Sequence, residues 1–145
     1  RIYLKQNSMY ASCDCKNIEI DWLDTGQVLI PRACQCDYCK TIEAHYVSTA
    51  DTKIRVTIHD EDRVKIVQHG TETADFFECI ICEKLVFASS VIDGVIYGVI
   101  NSGCLQNKKL LKEPQAFSYE GESLEQRLKR RQKNWCSPVV IEKAS

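Results

Sequence analysis

Three tight cysteine clusters constrain this chain more than any other feature of it. Cys13-Asp14-Cys15, Cys34-Gln35-Cys36-Asp37-Tyr38-Cys39 and Cys79-Ile80-Ile81-Cys82 hold seven of its nine cysteines. A C-x-C or C-x-x-C pair sets two sulphurs on one side of a turn, close enough to share a tetrahedral zinc with Zn–S bonds of about 2.3 Å. Cys13/Cys15 and Cys79/Cys82 together supply four thiolates, a closed shell of the kind that staples a fold. Cys34, Cys36 and Cys39 supply three and leave one position for water or a substrate atom, the usual difference between a catalytic and a structural zinc. Counting alone also permits Cys34 and Cys36 to close a site with Cys79 and Cys82. Disulfides are the competing use of these residues, but the cysteine count is odd, and neighbours two or three apart are badly placed to bridge each other.

At 145 residues the chain has the length of about one domain and can bury one sizeable core. We read residues 1–145 as a single zinc-binding domain, with a core at about 10–105 and a C-terminal extension whose helix lies at about 123–135. No apolar run approaches the roughly 20 residues of a membrane span. None resembles the apolar stretch of a signal peptide, although the chain opens at Arg1 without an initiator Met. Clustered thiols suit a reducing compartment, so an intracellular, cytoplasmic location is expected, with the nucleus as the second address. The formal charge is -1, from 19 basic and 20 acidic residues. Arg32, Lys16, Lys40 and Lys84 lie within two positions of a proposed ligand, either to offset thiolate charge or as ordinary solvated residues.

Short strands dominate as far as about residue 100. Ile18, Ile20 and Trp22 alternate with Glu19 and Asp21, the pattern of a half-buried strand. After the turn residues Asp24-Thr25-Gly26, Val28-Leu29-Ile30 is expected to fold back on it as a hairpin. Strands are predicted at Ala44–Val47, through Ile54, Val56 and Ile58, and from Val64 through Ile66 to His69, with the acidic tip His59–Asp62 joining the last two. Phe76-Phe77 leads into the third cluster. Asp93-Gly94, between two apolar runs, predicts a tight hairpin, because both central residues of a type I′ turn need positive φ. Residues 106 to 122 read as an extended surface connection. Helix is expected once: Ser123 and Gln126 form a capping-box pair, Leu124 and Leu128 share a stripe, and Pro138 lies beyond the far end. That helix carries Arg127, Lys129, Arg130, Arg131 and Lys133. Such a run binds phosphate backbone or simply faces solvent, and the acidic balance of the chain and the lack of interleaved aromatics weigh against nucleic acid.

The order C-x-C, then C-x-C-x-x-C about twenty residues on, then C-x-x-C after three strands, resembles the glutathione-dependent formaldehyde-activating enzyme family, which includes centromere protein V. Phe77-Glu78-Cys79-Ile80-Ile81-Cys82 resembles the family's aromatic-x-C-x-x-C element. The segment from Arg127 to Trp135 is similar to an Arg- and Asn-Trp-rich tail of some members. The likeness runs over about residues 10 to 135. It implies a mainly β fold of twisted, mostly antiparallel sheets organised around zinc sites. It also implies two zinc ions per chain, a structural one on Cys13, Cys15, Cys79 and Cys82 and a reactive one on Cys34, Cys36 and Cys39. The implied activity is that of a carbon–sulphur lyase acting on a thiol adduct of the S-hydroxymethylglutathione type, with glutathione as the small-molecule partner. Two rival readings are a non-catalytic zinc-stabilised binding module and a nucleic-acid contact through the basic helix.

The chain departs from the family pattern at three places. Gln35 stands where members usually have His inside the second cluster, while Lys16 and Glu83 stand where a Gly is usual after the first and third. A Gly there relieves a left-handed backbone residue, so Glu83 implies either strain of about 1 kcal/mol or a turn of another shape. His45, six residues after Cys39, is the best placed histidine for a fourth ligand or general base, ahead of His59 and His69. Tyr38 either lines the open face or only packs. Cys104 and Cys136 are expected to be buried and inert.

Overall fold

The computed structural model describes residues 9–22, 29–68 and 73–143. In chain order its elements begin with β1 (Met9–Ser12), β2 (Ile18–Trp22), β3 (Arg32–Cys34), the one-turn helix α1 (Asp37–Thr41) and β4 (His45–Val47). They continue with β5 (Ile54–Ile58), β6 (Val64–Val67), β7 (Asp75–Cys79), β8 (Lys84–Ile92) and β9 (Val95–Asn101). The chain closes with β10 (Gln115–Phe117), α2 (Leu124–Asn134) and β11 (Val139–Lys143). The strands form a four-stranded sheet in the order β1-β2-β5-β11 and a seven-stranded sheet in the order β10-β3-β4-β9-β8-β7-β6. Among the described residues the pairings are antiparallel except β10 on β3 and β11 on β5. The protein is therefore mainly β, as its alternating apolar pattern predicts.

The alternation in β2 does what its period requires. Ile18, Ile20 and Trp22 turn inward and meet Ile58, Val56 and Ile54 across the β2–β5 ladder, and all six are buried. They form one core with Val86, Phe87 and Ile100 of the larger sheet, so the two sheets pack face to face. A second, smaller cluster, including Cys39, Tyr46, Ala88, Val99 and Trp135, lies apart from this core. The Asp93-Gly94 turn is as expected, with φ of 51° and 79°, and it joins β8 to β9 in register.

Several connections differ from expectation. Leu29 does not fold back on β2. Both edges of β2 are already occupied, by β1 and β5, and Leu29 instead makes a parallel bridge to Leu111. The turn Asp24-Thr25-Gly26 and Val28 lie outside the described residues. The acidic tip joins β5 to β6 as expected, capping a 3-10 turn through Asp60, and because those strands belong to different sheets it is a crossover. The connection from 106 to 122 contains β10, which extends the larger sheet beside β3. The structure also has a second helix, α1. One turn is too short to show a 3.6-residue period.

Helix α2 begins at the expected capping box, with the Ser123 side chain accepting from Gln126 N–H and the Gln126 side chain accepting from Ser123 N–H. Its far end is fastened to the larger sheet by a reciprocal pair of backbone bonds between Gly98 and Cys136, both 2.9 Å. Cys136 and Cys104 are buried, and burial pushes the Cys104 thiol up to about 11. Gly98 is at a point of close approach: a Cβ there would sit 2.8 Å from Val139 Cγ2 and 3.2 Å from the Ala88 carbonyl oxygen. Gly98→Ala should therefore destabilise the fold by about 1–3 kcal/mol through overpacking. Urea unfolding measures this, and an unchanged midpoint would contradict it.

Candidate metal centres and the arginine-lined cavity

The four-cysteine cluster joins the two sheets. Cys13 and Cys15 sit in the link from β1 to β2 of the smaller sheet, whereas Cys79 ends β7 of the larger sheet and Cys82 lies in the turn to β8. Their four Sγ atoms lie within 4.8 Å of one another, with Cys13–Cys15 at 3.7 Å and Cys15–Cys79 at 3.6 Å. A tetrahedral zinc with bonds of about 2.3 Å needs edges of about 3.8 Å, close to these two separations, so the cluster could hold such an ion. Backbone amides point at them: Cys15 N–H donates to Cys82 Sγ at 3.1 Å and Ile18 N–H to Cys13 Sγ at 3.5 Å. A hydrogen bond from the Asn17 backbone is the largest influence lowering the Cys15 thiol to about 7, while burial lifts Cys79 to about 12. A metal would displace protons here, so its retention weakens with acidification.

The three-cysteine cluster is built on the larger sheet alone. Cys34 ends β3, Cys36 caps α1 with its sulphur facing Cys39 N–H at 3.4 Å, and Cys39 lies in the helical turn. The three Sγ atoms lie within 4.8 Å of one another. The alternative grouping of Cys34 and Cys36 with Cys79 and Cys82 is not the one the fold makes. Cys39 Sγ is 3.1 Å from the Tyr46 hydroxyl. Burial raises the Tyr46 phenol, and the Cys34 side chain and burial raise the Cys39 thiol, so either group can donate in this contact.

What separates the clusters is the cavity. Cys34, Cys36 and Cys39 line a cavity of about 490 Å³, and no cysteine of the four-sulphur cluster does. Arg127, Arg130 and Arg131 line it too, with Arg32 from β3 and an apolar share from Phe76, Ala88, Val99 and Trp135. The basic run is therefore split between two faces of α2. Lys129 and Lys133 are exposed, but the arginines turn inward. Arg130 Nε and Nη2 grip Glu122 at 2.9 and 3.0 Å, and its guanidinium lies 3.6 Å over the Tyr119 ring. Those bonds, with Arg127, hold the Glu122 carboxyl below the usual range. Arg32 is not a solvated residue either. It donates to Ser48 Oγ at 2.5 Å, and Ser48 donates to the Asn134 carbonyl at 2.7 Å, tying α2 to the cluster's own strand.

The other candidates are placed elsewhere. His45 opens on a separate cleft with Glu43, Glu83 and Lys84, and among the described residues no histidine joins either cysteine cluster. His59 pairs with Glu19 at 2.5 Å. His69 lies outside the described residues. Tyr38 packs edge-on against Phe76 at 5.2 Å and donates to Glu78. Gln35 lines the cavity and hydrogen-bonds the Ala33 carbonyl at 2.8 Å. Tyr46 and the inward arginines are the site residues not singled out for it from sequence. The readable signal for the arginines was spacing: 127, 130 and 131 share one helical face, and the lysines at 129 and 133 share the other.

Fold and site together define a mainly β protein with two cysteine clusters that could each hold a metal ion, of which the three-sulphur one faces a cavity. The chain belongs to the glutathione-dependent formaldehyde-activating enzyme family, whose sequence model matches residues 8–121. A crystal structure of a Rhodobacter sphaeroides protein is similar in fold, with 21% identity and a TM-score of 0.58 over 75% of this chain and the whole of that one. A search of curated proteins finds no match. Among the described residues no helix is long and apolar enough to cross a membrane.

The two substituted glycine positions keep the left-handed backbone. Lys16 has φ of 62° and Glu83 of 52°, so the turns after Cys15 and Cys82 hold their shape and carry the strain. A left-handed non-glycine residue costs roughly 1–2 kcal/mol, partly offset by the entropy that glycine loses on folding. Lys16→Gly and Glu83→Gly should each stabilise the protein by about 0.5–1 kcal/mol in denaturant unfolding. Destabilisation by both would show that the side chains are needed in those turns.

Proposed function

We propose that the chain forms or cleaves a carbon–sulphur bond in a thiol adduct of the S-hydroxymethylglutathione type, at Cys34, Cys36 and Cys39. The observation that carries this reading is the division of the two clusters: only the three-sulphur set meets the cavity. Cys13, Cys15, Cys79 and Cys82 would hold a structural zinc, and Cys34, Cys36 and Cys39 a second one with an open position. A zinc bound there would polarise a carbonyl or favour an ionised thiol. In the forward direction a thiol sulphur bonds to the formaldehyde carbon, the carbonyl π bond breaks, and the thiol's proton ends on the new hydroxyl. No oxidant or reductant enters.

The chain's own residues prepare this. Tyr46 fixes the Cys39 sulphur by a hydrogen bond. Cys36 is oriented by the Cys39 amide. The apolar lining of Phe76, Ala88 and Val99 lowers the water content around the reacting atoms, which strengthens local electrostatics. Turning the arginines inward leaves α2 with two outward lysines, a poor phosphate-backbone surface.

Metal analysis should find two zinc ions per chain. Cys36→Ala should lose one and stay folded, whereas Cys82→Ala should lose the fold, because structural zinc contributes on the order of 10 kcal/mol to folding. A Cys82→Ala protein that melts like the parent would overturn the structural assignment. For activity, nuclear magnetic resonance exchange between free formaldehyde and its glutathione adduct should be accelerated by the zinc-loaded chain and not by Cys36→Ala. Equal exchange with and without protein would sink the enzymatic reading.

A further inference from the structure

The cavity beside the three cysteines contains a charge that the described residues leave without a counter-ion. Arg131 is 7% exposed and lines the cavity. Its Nη1 donates to the Thr73 carbonyl at 3.1 Å, Thr73 Oγ1 at 2.9 Å and Ser90 Oγ at 3.1 Å, all neutral acceptors. Its Nε has no hydrogen-bond partner, and among the described residues it is the one buried side-chain nitrogen or oxygen in that condition. Burial and the neighbouring Arg130 and Arg127 draw its pKa down to about 10, so it remains charged at neutral pH. The guanidinium also lies 5.0 Å from the Trp135 ring, but among the described residues no carboxylate bonds it, and a buried guanidinium without a paired anion is costly.

The neighbouring carboxylate does not answer it. Glu122 is taken by Arg130 and Arg127. Thr73 and Ser90 hold Nη1 and Nε is itself buried, which leaves Nη2 as the guanidinium nitrogen open to a carboxylate in the cavity.

We infer that Arg131 is the specificity-determining residue for a carboxylate on the ligand, so that the molecule placing its sulphur at Cys34, Cys36 and Cys39 must also carry an anionic end. Thr73 and Ser90 are its positioning residues. The inference rests on the thiol reading proposed above and narrows it: a neutral thiol leaves Arg131 buried and unpaired, and an acidic one satisfies it. Arg131 lies beyond residues 8–121, the span of the family match, on the C-terminal helix whose likeness is to the Arg-rich tail of some members.

The test uses the full zinc-loaded chain and S-methylglutathione, whose blocked sulphur cannot form the adduct, titrated calorimetrically beside its dimethyl ester. The acid should bind wild type about 10- to 100-fold more tightly than the ester, the range of a charge-assisted hydrogen bond. Arg131→Gln should lose that preference while leaving the ester's affinity unchanged, and Arg131→Lys should recover only part of it. The unliganded Arg131→Gln protein should melt no lower than the parent, because an uncompensated buried charge has gone; a clear drop would make the residue structural. Acid and ester binding alike, no binding of either, or acetate competing as well as S-methylglutathione would each overturn the inference. The ester comparison needs no variant, so a misfolded substitution does not block it. Carboxylate preference without adduct exchange would sink the enzymatic reading alone, and exchange without preference would sink this one alone.

Discussion

Four sulphurs drawn from two different sheets are the tie on which this architecture depends. Cys13 and Cys15 come from the edge of the smaller sheet, Cys79 and Cys82 from a turn of the larger one. Apolar packing between the sheets is broad but non-directional, and it alone does not fix how far one sheet slides over the other. A metal held by the cluster would, because a tetrahedron of edge about 3.8 Å admits little slack. The strained residues Lys16 and Glu83 sit in the two turns that present those sulphurs, and the left-handed backbone is retained there despite its cost. Backbone N–H groups aimed at sulphur support the same geometry, Cys82 N–H donating to Cys79 Sγ within one turn and Cys15 N–H to Cys82 Sγ across the two.

The second cluster needs no such bridge. Its three sulphurs come from one strand end and one helical turn, close in sequence and independent of how the sheets meet. That separation divides labour physically. One cluster is placed by tertiary structure, where the two sheets meet. The other is placed locally and opens onto a cavity whose charged side is delivered by α2. Because α2 is fastened by Cys136 to Gly98 at its end and through Asn134, Ser48 and Arg32 to β3, its arginines and the sulphurs share one rigid surround.

Much of this was legible in the sequence, for reasons that differ by element. The clusters were visible because ligand spacing is local, and the β8–β9 hairpin because Asp93-Gly94 is a local turn signal. The capping box at Ser123 was equally local. What escaped were non-local choices. Leu29 reads as a hairpin arm until β2 is known to have both edges filled, and Gln115–Phe117 reads as coil until β3 offers an edge. Helix α1 is shorter than its own period. The arginines were seen as charges but not as an inward face, because charge runs are ordinarily solvated and only the cavity beneath shows why arginine and not lysine stands at 127, 130 and 131.

A single irregularity in β8 has a consequence for the volume available to any ligand. Between Phe77 and Glu78 the β7–β8 register shifts, so that Phe77 faces Phe87 and Glu78 faces Leu85, and Val86 is the residue in excess. Val86 and Phe87 consequently both turn into the main core, while Leu85 and Ala88 join the second cluster. Strict alternation from Leu85 would have sent Phe87, not Ala88, toward the cavity floor. A phenyl ring there would fill space that a methyl group leaves open. The depth of the chamber beside the three cysteines is thus set by one inserted backbone residue, some distance along the strand from the sulphurs themselves.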